Sequence, residues 1–157
     1  RNLILDQDIV FVGGGNTKSM LAVWNEWGLP NLLKQAYING AVLAGVSAGA
    51  ICWFNRGVTD SWANSLKIMD CLGFVEGNCC PHYDEEEERR PAVHEFLKNE
   101  KLEQCYAIEG GCAIHCIDGK IQNAVSFIPN KKAYLIKSDN GAITEEELKN
   151  IYIRSAS

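Results

Sequence analysis

No apolar run in these 157 residues approaches the roughly 20 that a membrane-spanning helix needs. The first residues, Arg1-Asn2-Leu3-Ile4-Leu5-Asp6, never build the uncharged stretch of a signal peptide. No basic stripe with interleaved aromatics is present, and the net charge of -5 sets the chain further from a nucleic-acid partner. Internal repeats, linkers and low-complexity segments are also missing. There is no initial Met: the chain opens at Arg1, directly ahead of a strand, so further N-terminal sequence is expected. The C-x2-C pair of a structural zinc site is absent too, although there are seven cysteines, at 52, 71, 79, 80, 105, 112 and 116. Their odd number and apolar neighbours point to reduced, buried thiols of a cytosolic protein. Cys79-Cys80-Pro81-His82 and Cys112-Ala113-Ile114-His115-Cys116 read as core thiols by the same reasoning, and no metal or cofactor is expected.

What is present is enough for one α/β domain over residues 1–157, with 46% hydrophobic and 22% charged residues. Asp8-Ile9-Val10-Phe11-Val12 is apolar enough for a strand buried on both faces, and it runs into Gly13-Gly14-Gly15. A helix follows with Met20, Leu21, Val23, Trp24 and Trp27 on one side, stopping at Gly28-Leu29-Pro30. A second helix covers Asn31 to Asn39, then a strand covers Ala41 to Val46, and a helix starts at Ala48. Strands alternating with helices imply a parallel sheet covered on both faces, whose ligands bind beyond the carboxyl ends of the strands. The stretch from Gly57 to Asp70 lacks firm periodicity and reads as a loop or short helix. Cys71 to Val75 reads as a short strand, Asp84 to Arg90 as a solvated helix start, and Pro91 to Lys98 as its helix. Cys105–Ile108, Ala113–Ile117, Val125–Ile128 and Ala133–Ile136 are strand-like, with hairpin turns at Gly110-Gly111 and Asp118-Gly119. Thr144-Glu145-Glu146-Glu147 fits a capping box for a short final helix.

The chemistry gathers on Gly45-Val46-Ser47-Ala48-Gly49, a G-x-S-x-G pattern between a strand and a helix start. A serine at the tip of so sharp a turn needs neighbours nearly free of side chain, which Gly45, Ala48, Gly49 and Ala50 supply. The turn aims the Ser47 hydroxyl out of the sheet and puts the Ala48 N–H where an oxyanion would form. Gly13-Gly14-Gly15 is neither a dinucleotide fingerprint, since Lys18 replaces its third glycine, nor a Walker loop, since Thr17 precedes that lysine. A glycine loop at a strand end still cradles an anion, and Gly15 N–H is expected to partner Ala48 N–H on the oxygen of a tetrahedral intermediate.

A serine nucleophile needs a base, and the base an orienting acid. Of three histidines, His94 lies in a helix pattern and His115 alternates in a strand, which leaves His82, in a loop beyond the elbow, as the base. Asp60 lies between elbow and histidine and is the expected acid, with Glu109, at the end of a strand before Gly110-Gly111, as the alternative.

Val12-Gly13-Gly14-Gly15-Asn16-Thr17, then Gly45 to Ala50, then Cys80-Pro81-His82-Tyr83, in this order, resemble the peptidase E family of serine peptidases, family S51. The resemblance covers most of the chain. It implies a flavodoxin-like parallel sheet flanked by helices, similar to class I glutamine amidotransferases, with C-terminal β-hairpin strands. It implies Ser47, His82 and Asp60 as catalytic triad, Gly15 and Ala48 as oxyanion donors, and Arg89 and Asn16 as substrate-binding residues. The substrate implied is a dipeptide or short peptide with N-terminal Asp, and the protein a cytoplasmic homodimer. A cyanophycinase-like peptidase of other specificity and a non-catalytic flavodoxin-like binding module are the alternatives. An α/β-hydrolase esterase, by contrast, places its acid and histidine much further beyond the serine.

Overall fold

The computed structural model describes residues 2–62 and 65–154. In chain order the first half runs α1 (Asn2–Leu5), β1 (Ile9–Val12), α2 (Thr17–Glu26), α3 (Leu29–Ile38), β2 (Val42–Gly45), α4 (Ala48–Ile51), β3 (Phe54–Trp62), β4 (Ser65–Asp70) and β5 (Val75–Cys80). The second runs α5 (Arg89–Lys98), β6 (Gln104–Ile108), β7 (Cys112–Ile117), β8 (Lys120–Ser126), β9 (Ala133–Asp139), β10 (Ala142–Glu147) and β11 (Asn150–Tyr152). Among these helices none is long and apolar enough to cross a membrane.

The fold is mixed α/β, and its sheets contain parallel pairs without being parallel throughout. Strands β1 and β2 pair in parallel, with Val12 opposite Gly45. A six-stranded sheet in the order β10-β9-β6-β5-β3-β4 has β3, β5 and β6 parallel at its centre. Strands β4, β9 and β10 join it antiparallel. The order β11-β8-β7 makes a third sheet. The antiparallel additions follow from connection length. Parallel neighbours need a crossover, whereas β3 to β4 and β9 to β10 are joined by two residues each, which permits only a hairpin.

Local sequence explains the helices on the elbow side. Asn16 caps α2, its side-chain oxygen accepting from the Ser19 N–H at 2.9 Å. Gly28, at φ +66°, lets α3 start immediately after α2, and Pro30 follows in its first turn. Leu21, Leu33, Cys52 and Trp53 pack together beneath these helices. The stripe expected on α2 is narrower than the sequence pattern: Leu21 is buried, but Trp27, at the C-cap, is 81% exposed. Under α5, Val58, Tyr83, Val93, Leu97 and Ile136 form a second core. Ile51, Phe54, Cys79 and Ile108 form a third, below the elbow. All seven cysteines are free thiols. Burial pushes the Cys80 thiol up to about 12, with the Arg89 charge pulling the other way, so it is an inert core group.

Several segments differ from the sequence expectation: the strand expected at Val125–Ile128 is β8, running Lys120–Ser126, and β11 is not among the expected strands. Gly57 to Asp70 holds most of β3 and all of β4, not a loop, because Val58 and Thr59 are buried against neighbouring strands. Of the Cys71 to Val75 stretch only Val75 is in a strand, as the first residue of β5. Thr144 to Glu147 is strand β10, not a helix, because its carboxylates have partners across the sheet and on α5. Glu145 accepts from the Tyr83 hydroxyl at 2.6 Å and from Arg90 Nη1 at 2.8 Å, and pairs with His94 Nε2 at 2.6 Å. Burial favours protonated Glu145, but these hydrogen bonds and the Arg90 charge outweigh it and hold the carboxyl below its ordinary 4.5. A lowered folded pKa stabilises the fold above the unfolded value, and that contribution is lost as pH falls through the folded value. Glu145→Gln is therefore expected to cost about 2 kcal/mol at pH 7. The gap from wild type should close as acid denaturation is followed below pH 4.5.

Candidate active site

The elbow is built by close approach of three backbones. A Cβ on Gly49 would overlap the Val12 carbonyl, and one on Gly45 would overlap the Gly49 carbonyl. Only glycine at both positions lets α4 leave β2 while touching β1. Between them Ser47 takes φ +56° and ψ -116°, a conformation that costs a non-glycine residue energy and that surrounding structure must enforce. The glycine loop after β1 closes over the same point. Gly14 packs on Ser47, where an added Cβ would lie 3.3 Å from the serine Cβ, and Gly15 follows at φ +148° with open space around it. Because Val12 is registered on Gly45, loop and serine emerge from the same ends of paired parallel strands.

The histidine arrives from β5. Beyond Cys80 the chain turns at Pro81, and His82 itself sits at φ +55°. Its carbonyl accepts from the Glu85 and Glu86 N–H groups, each at 3.2 Å, so the chain folds back under the ring. His82 Nε2 lies 2.9 Å from Ser47 Oγ, and His82 Nδ1 lies 2.6 Å from Glu85 Oε2. With the Nδ1 proton directed at that carboxylate, Nε2 is left to accept from the serine hydroxyl. Gly110 makes room for this arrangement, because any Cβ there would overlap the Glu85 carboxylate. The adjacent Asp84 holds the same turn in place, accepting from Gly110 N–H at 2.8 Å and pairing with Lys131.

Neither acid expected from the sequence reaches His82. Asp60 is 72% exposed on β3 and faces Arg89 Nη2 at 3.8 Å. Glu109 lines the cavity beside Ser47, but its two oxygens accept from Lys132 N–H at 2.9 Å and the Tyr134 hydroxyl at 3.2 Å. Glu85, the carboxylate that does reach the ring, stands in a run from Asp84 to Arg90 that reads as a solvated surface. The signal that could have found it is its position three residues beyond His82, within reach across one tight turn.

The two expected substrate residues are engaged elsewhere. Arg89 is 3% exposed and donates from Nε to Glu86 at 2.7 Å and from Nη1 to the Val58 carbonyl at 3.1 Å. It is not among the residues lining the cavity. Asn16 caps α2 and donates to the Ser61 carbonyl at 3.1 Å, tying the loop to β3. Arg89→Met is accordingly expected to destabilise the fold by about 3 kcal/mol, roughly 6–12 °C in melting temperature. Thermal unfolding reads that loss. The remaining histidines are bonded elsewhere, His94 to Glu145 and His115 with Nδ1 3.4 Å from Asn123 Oδ1, although His115 lines the same cavity as Ser47. Among the described residues no three His, Cys, Asp or Glu side chains group as metal ligands.

The family model for peptidase family S51 matches residues 1–124. The chain belongs to peptidase family S51. This S51 chain is 44% identical over 152 residues to the uncharacterized peptidase YgaJ of Bacillus subtilis (strain 168), covering 97% of the chain and 66% of YgaJ. It is 30% identical over 144 residues to peptidase E of Shewanella sp. (strain W3-18-1), covering 84% of the chain and 58% of that protein. It therefore spans about two thirds or less of these relatives' length. A peptidase E-type crystal structure from Listeria monocytogenes EGD-e shares the fold with a TM-score of 0.55 at 20% identity, over 94% of this chain and 63% of that one.

Proposed function

We propose that this S51 chain carries the acyl-transfer site of a serine peptidase acting on short peptides, with Ser47 as nucleophile, His82 as base and Glu85 as orienting acid. The observation that carries the reading is the unbroken hydrogen-bonded line from Glu85 through His82 to a serine held at positive φ. Ser47 Oγ attacks the scissile carbonyl carbon as its proton passes to His82 Nε2. The carbonyl electrons move onto oxygen, which the N–H groups of Ala48 and Gly15 receive. Collapse breaks the C–N bond while His82 returns the proton to the leaving amine. Water then attacks the acyl-serine, with His82 again taking the proton, and releases the acid and Ser47. Glu85 accepts from Nδ1–H throughout, fixing the tautomer and stabilising the imidazolium.

The dipeptide scale of the substrate, the homodimer and the cytoplasmic setting belong to the same reading, supported by the family resemblance alone. The test is covalent labelling of the intact protein with a fluorophosphonate, followed by peptide mapping. Modification at Ser47 that disappears in His82→Ala supports the reading. An unmodified Ser47 in folded protein, as in a non-catalytic binding module, contradicts it.

A further inference from the structure

Beside Ser47 and His82 lies a cavity of about 730 Å³, bounded by β2 and the elbow on one side and by β7 on the other. That volume is ample for a peptide side chain with its flanking backbone. Its walls include Phe54, Phe74, Val75, Ile108, Ile114 and Val125. The carboxylates lining it are Glu85, Glu109 and Asp118, and among the described residues no lysine or arginine lines it. Arg89, Arg90, Lys131 and Lys132 are each paired with a carboxylate, with Glu86, Glu145, Asp84 and Glu147 respectively.

A substrate carboxylate entering this space meets two penalties. It leaves water for an apolar wall, and it approaches like charges where the only basic groups among the lining residues are the His82 and His115 imidazoles, with no lysine or arginine. An aromatic or branched aliphatic side chain meets neither, and gains from burial against Phe54, Phe74 and Ile114. The same carboxylates suit one positive group that every short peptide carries, its α-ammonium. Resting on the serine-peptidase reading, we propose that the site takes short peptides with a free amino terminus and an apolar first residue. It discriminates against Asp and Glu there, in contrast to the acidic preference implied by the family resemblance.

The experiment compares Phe-Leu, Leu-Leu and Asp-Leu as substrates of the intact protein, with fluorophosphonate labelling of Ser47 followed in parallel. The expected result is a kcat/KM at least about 100-fold higher for Phe-Leu and Leu-Leu than for Asp-Leu. Equal or better cleavage of Asp-Leu, with Ser47 labelled, overturns this inference and leaves the peptidase reading standing. An unlabelled Ser47 overturns both. If Ser47 labels but no dipeptide is cleaved, protection from labelling reads the cavity directly. Protection by Phe-Leu at a concentration where Asp-Leu gives none supports the inference, and any other pattern overturns it.

Discussion

Ser47→Ala is expected to lower kcat/KM for short peptides by about 10⁵–10⁶-fold while leaving the fold intact. The size of the loss follows from the covalent step: without Oγ there is no acyl-enzyme, and the remaining site only binds and polarises the carbonyl. The fold should survive because the serine side chain lies at the rim of the cavity, and Gly45 and Gly49 carry the tight backbone approach. Steady-state kinetics and a melting curve together check this. Near wild-type turnover in a folded Ser47→Ala protein would remove the mechanism.

Glu85→Gln is expected to be the second largest effect, a fall of about 10³–10⁴-fold in kcat. The amide preserves shape but presents either an N–H or a neutral oxygen to Nδ1. The first forces the wrong tautomer, and the second leaves the imidazolium without its counter-charge. Asp60→Asn and Glu109→Gln should leave kcat within about threefold of wild type, because neither carboxylate touches His82, and a loss at Glu109 of a partner for the substrate ammonium falls on KM. The order of these three losses discriminates among the acids directly. A large loss in Asp60→Asn beside a small one in Glu85→Gln would restore the acid expected from the sequence.

The elbow was legible in the sequence because its requirement is steric and local. Glycines at 45 and 49 around a serine, after an apolar run, have few structural readings other than a backbone crossing, and the structure shows that crossing at Val12. The position of His82 beside Ser47 was legible by elimination and by its place after a strand. Glu85 was not, since a carboxylate among Asp84 to Arg90 looks solvated until His82 adopts φ +55° and folds the chain beneath its own ring. That conformation leaves no mark in composition or periodicity.

Arg89 illustrates the opposite case. Its neighbours suggested a surface or a pocket mouth, yet the Val58 carbonyl and Glu86 draw it into the core. Strands β3 and β4 escaped because Thr59-Asp60-Ser61-Trp62 mixes polar and aromatic residues without alternation across a β-bulge. The final helix failed for a tertiary reason. The capping-box pattern is real, but Glu145 and Glu147 are matched to Arg90 and Lys132, and those pairings set the strand.

That Ser47 and His82 act as one unit is tested most directly by a double-mutant cycle on kcat/KM with Ser47→Ala, His82→Ala and the double variant. Coupled residues give a double variant within about threefold of the worse single variant. Losses that multiply would show two groups working independently, and would contradict the 2.9 Å hydrogen bond between them as the catalytic contact.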